Sequence, residues 1–260
     1  MMTLATRPVG DLLREWRQRR RMSQLDLALE AEISTKHLSF LETGRSRPSR
    51  EMVLHLAEQL AVPLRERNAL LGAAGFAPAY PERDLSDPAM AAARQAVDMV
   101  LAAHAPYPAL AVDRHWNLVS ANDAVGRLLL GVDATLLAPP VNVLRMTLHP
   151  AGLAPRIVNL AQWRGHTLAR LRQQVAVTAD ATLTALATEL VAYPGGTEAP
   201  AAGEQGVAIP LQLRHGSSVL SMFSTTTVFG TPVDITLAEL AVEAFYPSDS
   251  ATADALRAMT

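Results

Sequence analysis

In the first 75 residues apolar positions return at three- and four-residue spacing in five short runs, each set off by a polar or proline residue, and this period predicts five helices. The first covers 10–21. The second follows Ser23, a good N-cap, with Asp26 three residues on as a loose capping box and Leu25, part of Leu27 and Ala28 as its core face. Ala31, Glu32 and Ile33 form a turn. The third runs from after Ser34 to about Thr43, with Leu38 and Leu41 inward, Ile33 packing from the turn and Gly44 as the stop. The fourth is capped by Ser49 after Pro48 and carries Val53, Leu54, Ala57 and Leu60. The fifth follows Pro63, a favourable first-turn proline, and ends near 72–75.

Beyond this the pattern changes. The polar, proline-bearing segment 76–88 reads as a linker between domains at 1–75 and 89–260. A helix is predicted over 89–104. Strands over 109–113 and 116–121 follow, joined at Arg114 and His115 as a hairpin whose His115 faces solvent. Residues 122–130 look helical, and 139–155 are broken by four prolines. Helices are predicted over 156–178 and 181–192, then a Pro/Gly/Ala-rich loop over 193–206. Strand chemistry returns over 207–213 and 218–229, with Thr225–Thr227 strongly β-prone. Residues 233–246 fit two periods at once. Leu237, Leu240, Ala241, Ala244 and Phe245 make a helical stripe, whereas Val233, Ile235 and Leu237 alternate as in a strand. There is no internal repeat. The expected class is an all-α domain followed by an α+β domain.

Composition sharpens this in three ways. A hydrophobic fraction of 49% is that of a folded protein. With no cysteine, disulfides, thiolate metal sites and a cysteine nucleophile are excluded. No apolar run is long enough to span a membrane, and the first 22 residues lack the apolar core of a signal peptide, so a bacterial cytoplasmic protein is expected. The net charge of −2 argues against a polyanionic partner, but its distribution argues for one. Residues 1–72 hold 12 Lys+Arg against 9 Asp+Glu, and the remainder holds 11 against 16.

The predicted second and third helices with their tight turn and following basic loop have the layout of a helix-turn-helix, whose second helix enters the DNA major groove. The front half of that helix must show hydrogen-bonding groups to base edges, and Thr35, Lys36, His37 and Ser39 meet this need. Phe40 faces the same way as Lys36 and could touch a thymine methyl. Thr43 joins the set at the helix end. Gln24 opens the second helix, where a phosphate is favoured, and Arg45 and Arg47 sit on the loop within reach of phosphates. The run Arg17–Arg21 is less specific and is more often a solvated helix end. Lys36 is the only lysine, so neither a P-loop nor a Schiff-base lysine exists in the back domain.

Residues 9–75 resemble the Cro/repressor-type helix-turn-helix domain of the XRE family, through Ser23-Gln24, Leu27-Ala28, Ile33-Ser34, Leu38, Leu41-Glu42, Gly44 and Pro48-Ser49. The resemblance implies a five-helix domain acting as a dimer on a palindromic operator. Glu32 departs from it, since many members have glycine in the turn, and so requires a left-handed backbone or a different turn. With YPALAVDRHWNLVSAN, PPVNVLRMTLHPAGLAPRIVNLAQW and STTTVFGTPVDITLAELAVEAFYP, the chain over about 9–250 is similar to MmyB/MltR-type regulators. That likeness implies a PAS-like back domain, an antiparallel sheet with helices packed over an apolar pocket. It also implies a small, possibly fatty acid-like ligand, with 233–246 as the last strand.

The residues themselves support a sensor by exclusion. There is no G-x-G-x-x-G, G-x-S-x-G or H-E-x-x-H, and the seven histidines lie at least 11 residues apart, so neither a metal site nor a cofactor is expected. Trp116 and Trp163 are candidates for pocket lining, though core is the commoner role. Arg145, His149 and His166 lie near apolar, proline-broken segments. An arginine there could clamp a ligand carboxylate, although a salt-bridged or helix-capping arginine is more usual. The expected protein is a non-enzymatic regulator, dimeric on operator DNA and off the membrane, with a small apolar ligand in its back domain. In the alternative the back domain only dimerises or binds protein partners.

Overall fold

The computed structural model of the chain describes residues 7–196 and 209–259. They form two compact units. One holds the described residues up to Arg83 together with Pro232–Ala238; the other holds the described residues of Asp84–Thr231 and the chain from Glu239.

The N-terminal unit contains α1 (Val9–Arg19), α2 (Gln24–Glu30), α3 (Thr35–Glu42), α4 (Arg50–Gln59) and α5 (Leu64–Ala73). Ser23, Ser34 and Ser49 each accept a hydrogen bond from the third amide of the helix they open. At Ser23 the box is complete, for its own amide donates to Asp26 Oδ2 at 2.7 Å. All five helices close alike. The residue after each C-cap has positive φ: Arg21, Glu32, Gly44, Ala61 and Gly75. The following N–H then reaches back five residues, as from Ile33 to Ala28 and from Arg45 to Phe40. Glu32, at φ 52°, does take the left-handed backbone that its turn demands.

Leu13, Trp16, Leu27, Leu38, Leu41, Val53, Leu56, Leu60, Leu70 and Leu71 form the core. Two expectations fail here. Leu25 is 57% exposed because α2 turns only Leu27 and Ala28 inward. On α4 Leu56 is fully buried, whereas Leu54 only packs against the core's edge. Gly10 is required by packing, because a Cβ there would lie 2.4 Å from the carbonyl oxygen of Leu41. After α5, Asn68 bonds the backbone of Ala79 and Tyr80, holding the start of segment 76–88 on this unit.

The second unit holds α6 (Ala91–Ala103), β1 (Ala109–Val112), β2 (Leu118–Ala121), α7 (Asp123–Leu128), α8 (Val143–Leu148), α9 (Leu160–Thr178), α10 (Ala181–Ala192), β3 (Leu211–His215), β4 (Ser218–Val228), β5 (Ala241–Pro247) and α12 (Ser250–Ala258). The intervening α11 (Ile235–Ala238) lies in the N-terminal unit. The strands make one antiparallel sheet in the order β2-β1-β5-β4-β3. This is the α+β arrangement expected, an antiparallel sheet with packed helices. Register places Leu110 opposite Glu243, Ser224 opposite Phe245, and Leu211 opposite Met222, so these residues share one face.

β2 begins at Leu118, because Trp116 has φ 68° and cannot continue a strand. The long helix starts at Leu160, after a separate 3-10 turn at Ala154–Arg156. The proline-broken stretch contains α8, capped by buried Asn142, whose Oδ1 accepts from Arg145 N. Residues 233–246 divide into α11 and β5, and α12 was not anticipated. Residues 207–208 of the expected third strand, and 197–206 of the expected loop, lie outside the described residues.

Candidate functional site

A buried ionic knot positions the outward face of α3. The side chain of Glu42, in the last turn of α3, is fully buried. Arg17 of α1 donates to both its oxygens, Nε to Oε1 at 2.7 Å and Nη2 to Oε2 at 2.9 Å. Gln24, the first residue of α2, donates Nε2 to Oε2 at 2.8 Å. One carboxylate thus ties together the three helices that set how α3 is presented. Burial alone would raise this carboxyl, but the bonds from Arg17 and Gln24 outweigh it and hold the group below the ordinary carboxylate range. The arginine run is mostly structural. Arg17 serves Glu42, Arg19 pairs with Glu15, and Arg20 donates to the carbonyls of Leu60 and Ala61.

On the other side of α3, Lys36, Thr43, Arg45 and Arg47 are exposed, and Thr35, His37, Ser39 and Phe40 are half-buried. Lys36 Nζ and the Arg45 guanidinium each lie 5.7 Å from the centre of the Phe40 ring. Phe40 therefore orders two cations by cation–π attraction. Thr43 spends its hydroxyl proton on Ser39 O at 2.7 Å. Among the described residues Lys36, Arg45 and Arg47 have neither an ion pair nor a side-chain hydrogen bond, which leaves three positive charges free beside an ordered helix. Gln24 differs from the rest, since one donor of its amide is committed to Glu42.

In the second unit a narrow cleft with about 50 Å³ of free volume, partly open to solvent, lies between the sheet and the helices over it. Trp116, Trp163 and His166 line it. Arg145 and His149 do not, being gathered instead at α10, where Glu189 already satisfies Arg145 at 2.6 and 2.7 Å and His149 packs edge-on to Tyr193. In their place are Thr167 and Arg170 of α9, with Ser224 and Glu243 of the sheet. Arg170 donates to Glu243 Oε1 and Oε2 and to Thr226 Oγ1, and lies 4.7 Å from the Trp116 ring centre. Burial first, and the Arg170 charge second, push His166 below the usual histidine range, so it is neutral at pH 7.

An adjoining cleft with about 50 Å³ of free volume is almost wholly apolar, lined among others by Val125, Met146, Leu211 and Met222. The two share Leu110, Val143, Thr147 and Phe245 as a common wall. The missed residues had legible signals. Trp163, His166, Thr167 and Arg170 stand at i, i+3, i+4 and i+7 on one helix, and Glu243 is the single charge in an apolar strand. His115, expected in solvent, is half-buried with Nε2 2.9 Å from Asp180 Oδ2.

Among the described residues no group of acids and histidines is placed to hold a metal ion, and no helix is long and apolar enough to cross a membrane. Residues 93–259 match the family described as MmyB-like transcription regulator ligand binding domain, and residues 13–67 match the family described as Helix-turn-helix. No curated protein matches the chain.

Proposed function

Because the chain belongs to the family of MmyB-like transcription regulators, with an XRE-type helix-turn-helix at its front, we propose that it is a non-enzymatic, ligand-responsive regulator that reads operator DNA as a homodimer. The observation that carries the DNA reading is the free cationic face of α3. Thr35, Lys36, His37, Ser39 and Phe40 meet base edges in the major groove, and Gln24, Thr43, Arg45 and Arg47 meet phosphates. The back domain takes a small apolar molecule of fatty acid-like shape into the paired clefts, whose lining includes Trp116, Trp163 and His166.

The chain path supports a route between the two functions. The connection from β4 to β5 leaves the sheet and belongs, over Pro232–Ala238, to the N-terminal unit. There Ile235 N donates to Pro81 O, Thr236 Oγ1 to Arg83 O, and Arg83 Nη1 to Asp234 Oδ2. The chain then returns as β5, which carries Glu243 and Phe245 into the cleft wall. A ligand that prefers one setting of β5 thereby biases the DNA-binding unit, which is the differential affinity that regulation requires.

The rival reading, a back domain used only for dimerisation or protein partners, draws on the exposed Met99 (60%) and Val100 (46%) of α6. The test is direct. An operator selected from random duplexes is titrated with wild type, Lys36→Ala and Arg45→Ala at several salt concentrations. Arg45→Ala is expected to weaken binding and lower the salt slope by about 1, and Lys36→Ala to weaken it by about 1–3 kcal/mol and relax the sequence preference. Unchanged, salt-insensitive binding would overturn the assignment.

A further inference from the structure

The side chains of α3 divide by what they face. Leu38, Leu41 and Glu42 are buried. Thr35, Lys36, His37 and Ser39 each carry a hydrogen-bonding group on the outer side. Phe40 fits neither set. It is the one apolar side chain of the helix outside the buried core, and among the described residues it is not one of the partly buried apolar groups packed against that core. At about 100° per residue it stands about 40° round from Lys36, on the side away from Leu38 and Leu41.

The ring is nonetheless held in place. Lys36 Nζ and the Arg45 guanidinium each lie 5.7 Å from its centre. The Phe40 carbonyl accepts from Arg45 N at 2.9 Å and Ser46 N at 3.1 Å, so the stop of the helix is built on this residue. The only acid of α3, Glu42, is buried. An apolar ring thus stands half-buried beside free cations, in the middle of the face that the duplex would meet.

A duplex offers such a ring few good partners. Amino, carbonyl and ring-nitrogen groups fill the major-groove edges of the base pairs, and the one apolar group among them is the C5-methyl of thymine. Pressing the ring on an amino group or an acceptor would strip its water and return no hydrogen bond. Against the methyl, the same ring removes apolar surface on both partners from water. The helix rises about 6 Å from Lys36 to Phe40 and a duplex about 3.4 Å per base pair, so the bases that these two meet lie within about two base pairs of each other.

We propose that Phe40 is the methyl reader of the operator half-site: its ring packs on the C5-methyl of one thymine, close to the base that Lys36 contacts. This rests on the reading of α3 as the recognition helix. The two cations hold the ring before DNA arrives, so ordering it costs little on binding. Replacing that thymine by uracil removes the methyl and leaves every hydrogen-bonding group of the base pair, and so isolates this contact.

The probe is an operator selected from random duplexes with the full-length protein, in which each thymine in turn is replaced by deoxyuridine. Affinity is read by fluorescence anisotropy at fixed salt. One thymine of each half-site, near the position whose base preference Lys36→Ala relaxes, is expected to lose about fourfold on becoming uracil, the effect of burying one methyl. In Phe40→Ala that difference should vanish with the salt slope unchanged, and in Phe40→Leu, which stays apolar, most of it should remain. Equal binding of every uracil-bearing operator by the wild type overturns the proposal while leaving α3 as the recognition helix. So does a methyl effect that persists in full in Phe40→Ala. Failure to select any operator overturns the reading of α3 as well. The wild-type comparison stands even if Phe40→Ala does not fold.

Discussion

Glu42→Gln tests whether one buried carboxylate fixes the presentation of α3. The substitution preserves volume, so no cavity term enters. It removes the charge and sets an amide NH2 either against Arg17 Nε or against both Arg17 Nη2 and Gln24 Nε2, the donors that now point at the carboxylate. Arg17 is only 8% exposed and would keep its bond to Met22 O at 2.8 Å and one bond to the glutamine oxygen, but lose its counter-charge. Breaking a buried pair while leaving the other charge in place costs about 3–5 kcal/mol, and the lower end applies here because a glutamine oxygen can still accept. Since small domains are stable by only about 5–15 kcal/mol, roughly a fifth to three fifths of the margin of the N-terminal unit is at stake. The pH dependence gives a second check. The folded carboxyl sits below its ordinary 4.5, so its contribution is complete above about pH 4.5 and fades as pH falls through the lower folded value. In the variant that share of the acid loss should be missing. The assay is urea unfolding of the full chain, with α1 and α3 amides read by hydrogen exchange across pH 3–7. The double variant Arg17→Met/Glu42→Leu should recover most of the loss, because no orphan charge remains. A Glu42→Gln cost under about 1 kcal/mol, or an unchanged acid slope, would refute the reasoning.

Other substitutions probe separate features. Gly10→Ala places a methyl against the carbonyls of Leu41 and Glu42, and should cost about 1–3 kcal/mol in chemical denaturation while sparing the second unit. Glu32→Gly relieves a left-handed glutamate, and a gain of about 0.5–1 kcal/mol is expected after the extra freedom of unfolded glycine is subtracted. Arg164 is buried at 4% exposure and donates to the carbonyls of Leu190, Val191, Tyr193 and Gly196 at the end of α10. Arg164→Met should therefore cost about 2–4 kcal/mol, seen as a lower melting temperature of the second unit with α10 exchanging first.

What the sequence disclosed depended on whether a signal is local. Serine caps, the capping box at Ser23 and Asp26, and the stop at Gly44 are read within four residues, and the helices they bound are where they were expected. Ends without glycine were harder. Arg21 and Ala61 occupy the same left-handed position as Gly44 and Gly75, yet nothing in an arginine or alanine announces it. Trp116 has the same difficulty, since its aromatic side chain suits a strand while its backbone ends one. Partners distant in sequence were out of reach. Arg145 was a fair candidate for a carboxylate partner, and it has one, but the carboxylate is the chain's own Glu189, 44 residues away. Arg170 and Glu243, 73 residues apart, are the pair that does reach the cleft. Each is conspicuous alone, and only the fold says they meet.

Residues 233–246 show why a periodicity argument can be undecided for a physical reason. The helical stripe and the strand alternation are both real, because the segment changes partner within a few residues. Ile235–Ala238 coils within the N-terminal unit, Leu240 is buried at 2% exposure, and from Ala241 the chain is extended between β1 and β4. A hydrophobic period reports only which residues seek an apolar surface, not whose surface it is. A segment with two surfaces must carry two periods, and an isolated window averages them into ambiguity.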